Sequence, residues 1–195
     1  LFCVLSTLFA ISIWYKFKSV SILLIYTTAF SALAVSLSTT YLLDQPKGKS
    51  NWNFFGLSLH MLVHSFMAGG AAFSIVDAFF RIGTTWGFYV DMVLHIAIIS
   101  NLFINIFEMF LNNNPYQKQM VKEVLTGNYK TLYWIGNILI GNIFPFIMIF
   151  FSDNNWLQTG AGILILIGIF ITDRIWIATP NRVKFNQPTI EVINN

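Results

Sequence analysis

Six titratable side chains stand where the apolar interior of a membrane would lie. His60, His64 and Asp77 fall within the apolar run 52–80, and Asp91, His95 and Glu108 fall within the next, 85–111. Charge is costly at that depth, so such groups face a bundle interior or a water-filled cavity and mark proton or substrate paths. All three histidines of the chain belong to this set. His60/His64 and Asp91/His95 are i,i+4 pairs, so each pair shares one helix face. At 1.5 Å per residue, His60 and His64 lie about 12 and 18 Å from Trp52, and Asp91 and His95 about 9 and 15 Å from Thr85. His64 and His95 therefore fall at similar depth. If the faces meet, the order from one surface to the other is Glu108, His60, His64, His95, Asp91, Asp77, a spacing suited to proton transfer through intervening water. Histidine suits the middle of such a path because its ordinary pKa is near neutral.

The same residues admit other chemistry. Two imidazoles at matching depth are what a bis-histidine b-type haem requires, and His64 with His95 meet that condition. Asp91 and His95 alone supply only two ligands to a copper ion. An ion-coupled transporter would use the polar set to bind its coupling ion, although no internal repeat is apparent. Buried His or Asp can also simply join helices by hydrogen bonds, with Asp77 and Arg81 as an i,i+4 ion pair at the interface. Asp173-Arg174 reads as a pair at the end of the last helix, where Arg174 could hold an anionic group. No residue reads as a catalytic nucleophile, and the single Cys3 excludes an internal disulfide and a cysteine-built metal site.

These side chains need a membrane scaffold, and the composition supplies it. The chain has 195 residues, 56% hydrophobic and 10% charged, with mean hydropathy +0.67. An ordinary soluble domain carries about 25% charged residues. The fold expected is all-α, a polytopic transmembrane bundle. Five full spans are predicted at 20–42, 52–80, 85–111, 131–151 and 157–178, with a partial N-terminal span at 1–15. Trp52, Trp86, Trp134 and Trp156 stand near the starts of apolar runs, as interfacial anchors do. Period-2 alternation is absent, which argues against a β-barrel. The chain begins at Leu1 inside an apolar run without signal-peptide features, and is read as lacking N-terminal helices.

The division expected is residues 1–51 as a partial span, one full span and a loop, 52–180 as a four-helix bundle, and 181–195 as a polar tail. Lys47, Lys49, Lys118, Lys122, Lys130, Arg182 and Lys184 fall on one side, against Lys16, Lys18 and Arg81 on the other. The positive-inside rule then places the C-terminus in the cytoplasm. Basic residues confined to short loops are topology determinants, so the pI of 9.0 carries no expectation of nucleic-acid binding. Ala68-Gly69-Gly70-Ala71-Ala72 invites close helix packing, and Pro145 after Gly141-Asn142 predicts a kink.

The order of several motifs resembles the polysulfide-reductase (NrfD-type) membrane subunits, including the membrane subunits of alternative complex III. The matching stretches are Ser65 to Phe73, then Tyr89 through Glu108 with His95 in a Leu-His element. Asn114-Pro115-Tyr116, Thr126-Gly127-Asn128-Tyr129, Tyr133-Trp134, the region from Asn142 to Pro145, and Asp173-Arg174 follow. The resemblance covers about residues 52–188. It implies an anchor in a prokaryotic cytoplasmic membrane that exchanges electrons between quinone and a peripheral iron–sulfur protein, beside a molybdopterin-type catalytic subunit. It also implies that the chain itself binds no haem, and that quinone is held mainly by a preceding bundle. His95, Glu108, Asp173 and Arg174 match polar positions of the family; His60 and His64 match no motif.

Overall fold

A run of some 20 apolar residues in lipid leaves its backbone no solvent to bond, so it must satisfy its N–H and C=O groups internally as a helix. The computed structural model describes residues 1–16, 18–44, 54–80, 84–110, 115–151 and 154–182. Among these there are seven helices and no strand: α1 Phe2–Trp14, α2 Lys18–Asp44, α3 Phe54–Phe80, α4 Thr84–Phe110, α5 Pro115–Leu125, α6 and α7 Asn155–Arg182. Helix α6 begins as a π-helical stretch, Leu132–Ile143, and continues as α-helix through Phe144–Phe151. Five segments are long and apolar enough to cross a membrane: Ser19–Ser38, Ser58–Phe80, Gly87–Glu108, Leu132–Phe151 and Trp156–Thr179. The chain is thus an integral membrane protein with a lipid bilayer as its surroundings, and α1 is the shorter apolar helix expected at the N-terminus. Arg81, the loop 45–53 with Trp52, and the tail from residue 183 lie outside the described residues.

The chain divides into two compact units, Leu1–Phe66 and Met67–Asn195, with the boundary inside α3. In the first, α1 and α2 form a hairpin. Ser12 donates to the Phe9 carbonyl at 2.8 Å and lies 3.0 Å from the Ser21 hydroxyl across the pair. Lys16, in the turn, has a φ of 56°, a left-handed conformation that side chains with a Cβ adopt at a cost of about 1–2 kcal/mol. Lys16→Gly is therefore expected to stabilise the hairpin by up to about 1 kcal/mol, read as a rise in the unfolding midpoint of the detergent-solubilised chain.

In the second unit, small residues set the helix spacing. A Cβ added at Gly141 would stand 2.6 Å from the Gly168 Cα, and one added at Gly162 would stand 2.8 Å from the Ala71 carbonyl oxygen. Helices α6 and α7 thus meet backbone to backbone, and α7 meets the small-residue stretch of α3. Gly69 of that stretch faces open space, so the close approach uses only part of it. Thr172 and Thr179 on α7 are buried, but each hydroxyl donates to the carbonyl four residues earlier, Gly168 and Ile175. They are satisfied within their own helix.

Two expectations change, and the stretch where a kink was expected takes an unexpected geometry. The segment between the third and fourth full spans contains a helix, α5, whose Met120 is buried while Lys118 and Lys122 are exposed. Its charge density hid it from a search for apolar runs. Asp173-Arg174 does not end the last helix, because the apolar residues Ile175 to Ala178 extend α7 to Arg182. The stretch before Pro145 adopts π geometry, with the Phe144 N–H bonded to the Leu139 carbonyl, five residues back. The widened turn leads into Pro145, which has no N–H to give.

A polar seam between α4 and α6

Helix α4 buries a stripe at Leu94, Ile98, Asn101 and Asn105, positions three and four apart on one face. Its upper half is apolar and its lower half carries two carboxamides. In α6, the buried residues of the π stretch are Tyr133, Gly136, Asn137, Gly141 and Asn142. In an α-helix, residues five apart point about 140° away from each other. An i→i−5 repeat brings them nearly into line. Gly136 and Gly141 therefore both face α7, against Ile171 and Gly168 respectively, while Asn137 and Asn142 both face α4.

The four asparagines close a ring. Asn101 Nδ2 donates to Asn142 Oδ1 at 2.8 Å, and Asn142 Nδ2 donates to Asn137 Oδ1 at 3.0 Å. Asn137 Nδ2 donates to Asn105 Oδ1 at 3.5 Å, the longest of the set, and Asn105 Nδ2 donates to Asn101 Oδ1 at 3.4 Å. Asn142 and Asn105 also donate to the backbone carbonyls of Asn137 and Asn101, both at 2.8 Å. All four residues are at most 4% exposed. Every amide both gives and accepts, and Asn101 and Asn137, with one donated bond each, keep a second N–H outside the ring.

Above and below it, the antiparallel register continues. On one side His95 meets Phe146 and Phe150 edge-on, at ring-centroid distances of 5.1 and 6.0 Å. His95 Nδ1 lies 2.7 Å from the Asp91 carbonyl oxygen. A carbonyl only accepts, so Nδ1 carries a proton, and in the neutral imidazole Nε2 is then the acceptor. That Nε2 is closed to solvent and has no hydrogen-bond partner among the described residues. The Asp91 carboxylate accepts from Gln158 Nε2 of α7 at 2.8 Å. On the other side of the ring, Tyr133 lies within electrostatic range of Glu108. The Tyr133 hydroxyl is likewise closed to solvent and lacks a partner.

The seam therefore has three rungs, His95 with Phe146 and Phe150, Asn101 with Asn142, and Asn105 with Asn137, and ends where Glu108 lies within electrostatic range of Tyr133. From His95 to Glu108 it extends about 20 Å. Of the residues singled out in the sequence, it brings His95 and Glu108 onto one interface, and Asp91 stands one turn beyond His95. His60 and His64 are buried in the first unit with ring centroids 4.2 Å apart, as their i,i+4 spacing requires. Asp77 and Asp173 are half-buried, and Arg174 is exposed.

Asn101, Asn105, Asn137, Asn142, Tyr133 and Gln158 were not among the candidate site residues, although Tyr133 and Asn142 lie in stretches that carry the family resemblance. A signal was present, since Ile135-Gly136-Asn137-Ile138 recurs five residues later as Ile140-Gly141-Asn142-Ile143. This short repeat has the period of the π-helix itself. No family model, curated protein or solved structure matches the chain.

Proposed function

We propose that the chain is a membrane anchor subunit of a quinone-linked oxidoreductase complex. In this reading it couples quinone to a peripheral iron–sulfur protein and a molybdopterin-type catalytic subunit, with proton transfer through buried His, Asp and Glu. The membrane is a prokaryotic cytoplasmic membrane, with the C-terminus on the cytoplasmic side. The ordered sequence resemblance motivates the reading, and the observation that carries it is His95. Its Nδ1–H is committed to the Asp91 carbonyl, which leaves Nε2, closed to solvent, as the ring nitrogen that can exchange a proton inside the bundle. The electron carriers belong to the partner subunits. This chain contributes position, electrostatics and proton exchange.

The test is an optical redox spectrum of the detergent-purified complex, with mass spectrometry of the co-purifying subunits. Iron–sulfur and molybdopterin partners, with no haem on this chain, are the expected result. His95→Leu is expected to lower quinone-linked turnover by roughly 100-fold, the scale of a lost acid–base group, while the assembled complex accumulates normally. Wild-type turnover in that variant would defeat the proposal.

One observation favours a second reading. An imidazole whose Nδ1–H bonds a backbone carbonyl and whose Nε2 has no hydrogen-bond partner among the described residues could ligate a haem iron, and Phe146 and Phe150 beside it would supply apolar surroundings. A b-type haem, if bound, would supply one-electron transfer. A Soret band lost in the His95 variant would establish that reading and displace the first.

A further inference from the structure

The seam carries more polar hydrogen-bonding capacity than its protein partners use. Asn105 and Asn142 direct their amide nitrogens to two acceptors each, one side-chain and one backbone. Asn101 and Asn137 each make one bond as donors, which leaves each with an amide hydrogen to give. The Tyr133 hydroxyl, on a residue 5% exposed, adds a third donor. His95 Nε2 adds an acceptor at the other end. In a bilayer interior each unsatisfied polar group costs several kcal/mol, and the Tyr133 hydroxyl and His95 Nε2, two groups on one interface without a hydrogen-bond partner among the described residues, would oppose the packing that creates it. His95 and Asn101 cannot reach each other directly along α4. His95 and Asn101 are six residues apart on α4, about 9 Å along the axis and about 120° around it.

We infer that the α4–α6 seam binds a short file of water, with the Tyr133 hydroxyl and His95 Nε2 at its ends and the free N–H groups of Asn101 and Asn137 between them. Water matches what is left over: it accepts from the amides and the phenol, donates to the imidazole, and is small enough for a closed interface. The amide ring does not ionise near neutrality. It therefore orders the file without trapping a proton on itself. The titratable groups are confined to the ends, Glu108 beside Tyr133 and His95 beside Asp91. Only the use of the file for proton transfer rests on the function proposed above; the hydration stands on the hydrogen-bond count.

Radiolytic hydroxyl-radical labelling of the intact complex in its resting state, read by mass spectrometry, tests it. Radicals form from water in place, so a buried side chain is labelled quickly only where water touches it. Tyr133, 5% exposed, is expected to label several-fold faster than Met67 and Met120, which are at most 1% exposed and have intrinsically more reactive sulfur. Tyr133→Phe, which keeps the ring and removes the hydroxyl, is expected to slow labelling at position 133 and leave the methionines unchanged. Labelling of Tyr133 no faster than of the two methionines would show a dry seam and overturn the inference. Since no electron donor or quinone is present, that result is independent of whether the complex is quinone-linked.

Discussion

Gly168→Leu is expected to cost about 3 kcal/mol of folding free energy, the upper end of what overpacking a core does. A Cβ at position 168 runs into the Gly141 backbone. A backbone atom cannot move aside by changing rotamer, so the helices themselves must separate. Association between membrane helices depends on this close packing, because lipid is as apolar as the side chains and supplies no hydrophobic drive. Separation would also move Asn137 and Asn142, which share α6 with Gly141, away from α4. The measurement is reversible unfolding in mixed detergent. Gly69→Ala is the control: its added methyl meets nothing within 4 Å, so it should remain within about 1 kcal/mol of wild type, or gain slightly from helix propensity. Equal losses for both variants would mean that the Gly141–Gly168 contact does not set the α6–α7 distance.

Asn142→Leu should be nearly as damaging, for a different reason. It removes the acceptor for Asn101 Nδ2 and the donor to both oxygens of Asn137. A buried group stripped of its partner costs about 1–3 kcal/mol, and interhelical bonds in membranes are worth less, about 0.6 kcal/mol on average. A loss of about 2–3 kcal/mol follows. The ring makes a sharper statement about coupling. Once Asn142 is gone, Asn101 no longer has its ring acceptor, so Asn101→Leu added to Asn142→Leu should cost much less than Asn101→Leu alone. Strict additivity in that double-mutant cycle would show that the four amides act separately. An unchanged stability in the Asn142 variant would show that the ring contributes nothing.

The seam explains why the titratable residues were visible in the sequence and the amides were not. A His or Asp inside an apolar run is anomalous in itself, because lipid penalises charge wherever it stands. Asparagine is neutral, and its importance depends on what faces it. Asn101 and Asn105 could be placed on one face of α4 from their spacing. Asn137 and Asn142, five residues apart, would diverge on an α-helix and gave no reason to be read together. Only π geometry aligns them, and the five-residue Ile-Gly-Asn-Ile repeat that accompanies it is invisible to a search for the 3.6-residue period. Helix α5 was missed on similar grounds, since its lysines interrupt every apolar window.

What the sequence determined by itself is the class of the molecule, the number of its spans and the place of its ionisable groups along them. Those follow from the free energy of moving side chains and backbone from water to hydrocarbon, a local quantity that each segment carries alone. The tertiary structure decided which helix faces meet. Glycine-to-glycine contact placed α6 against α7, the π stretch turned two asparagines towards α4, and the antiparallel register set Tyr133 beside Glu108 and Phe146 beside His95. Those pairings depend on directional hydrogen bonds and on packing between segments some 25 to 50 residues apart, so no single stretch of the sequence contains them.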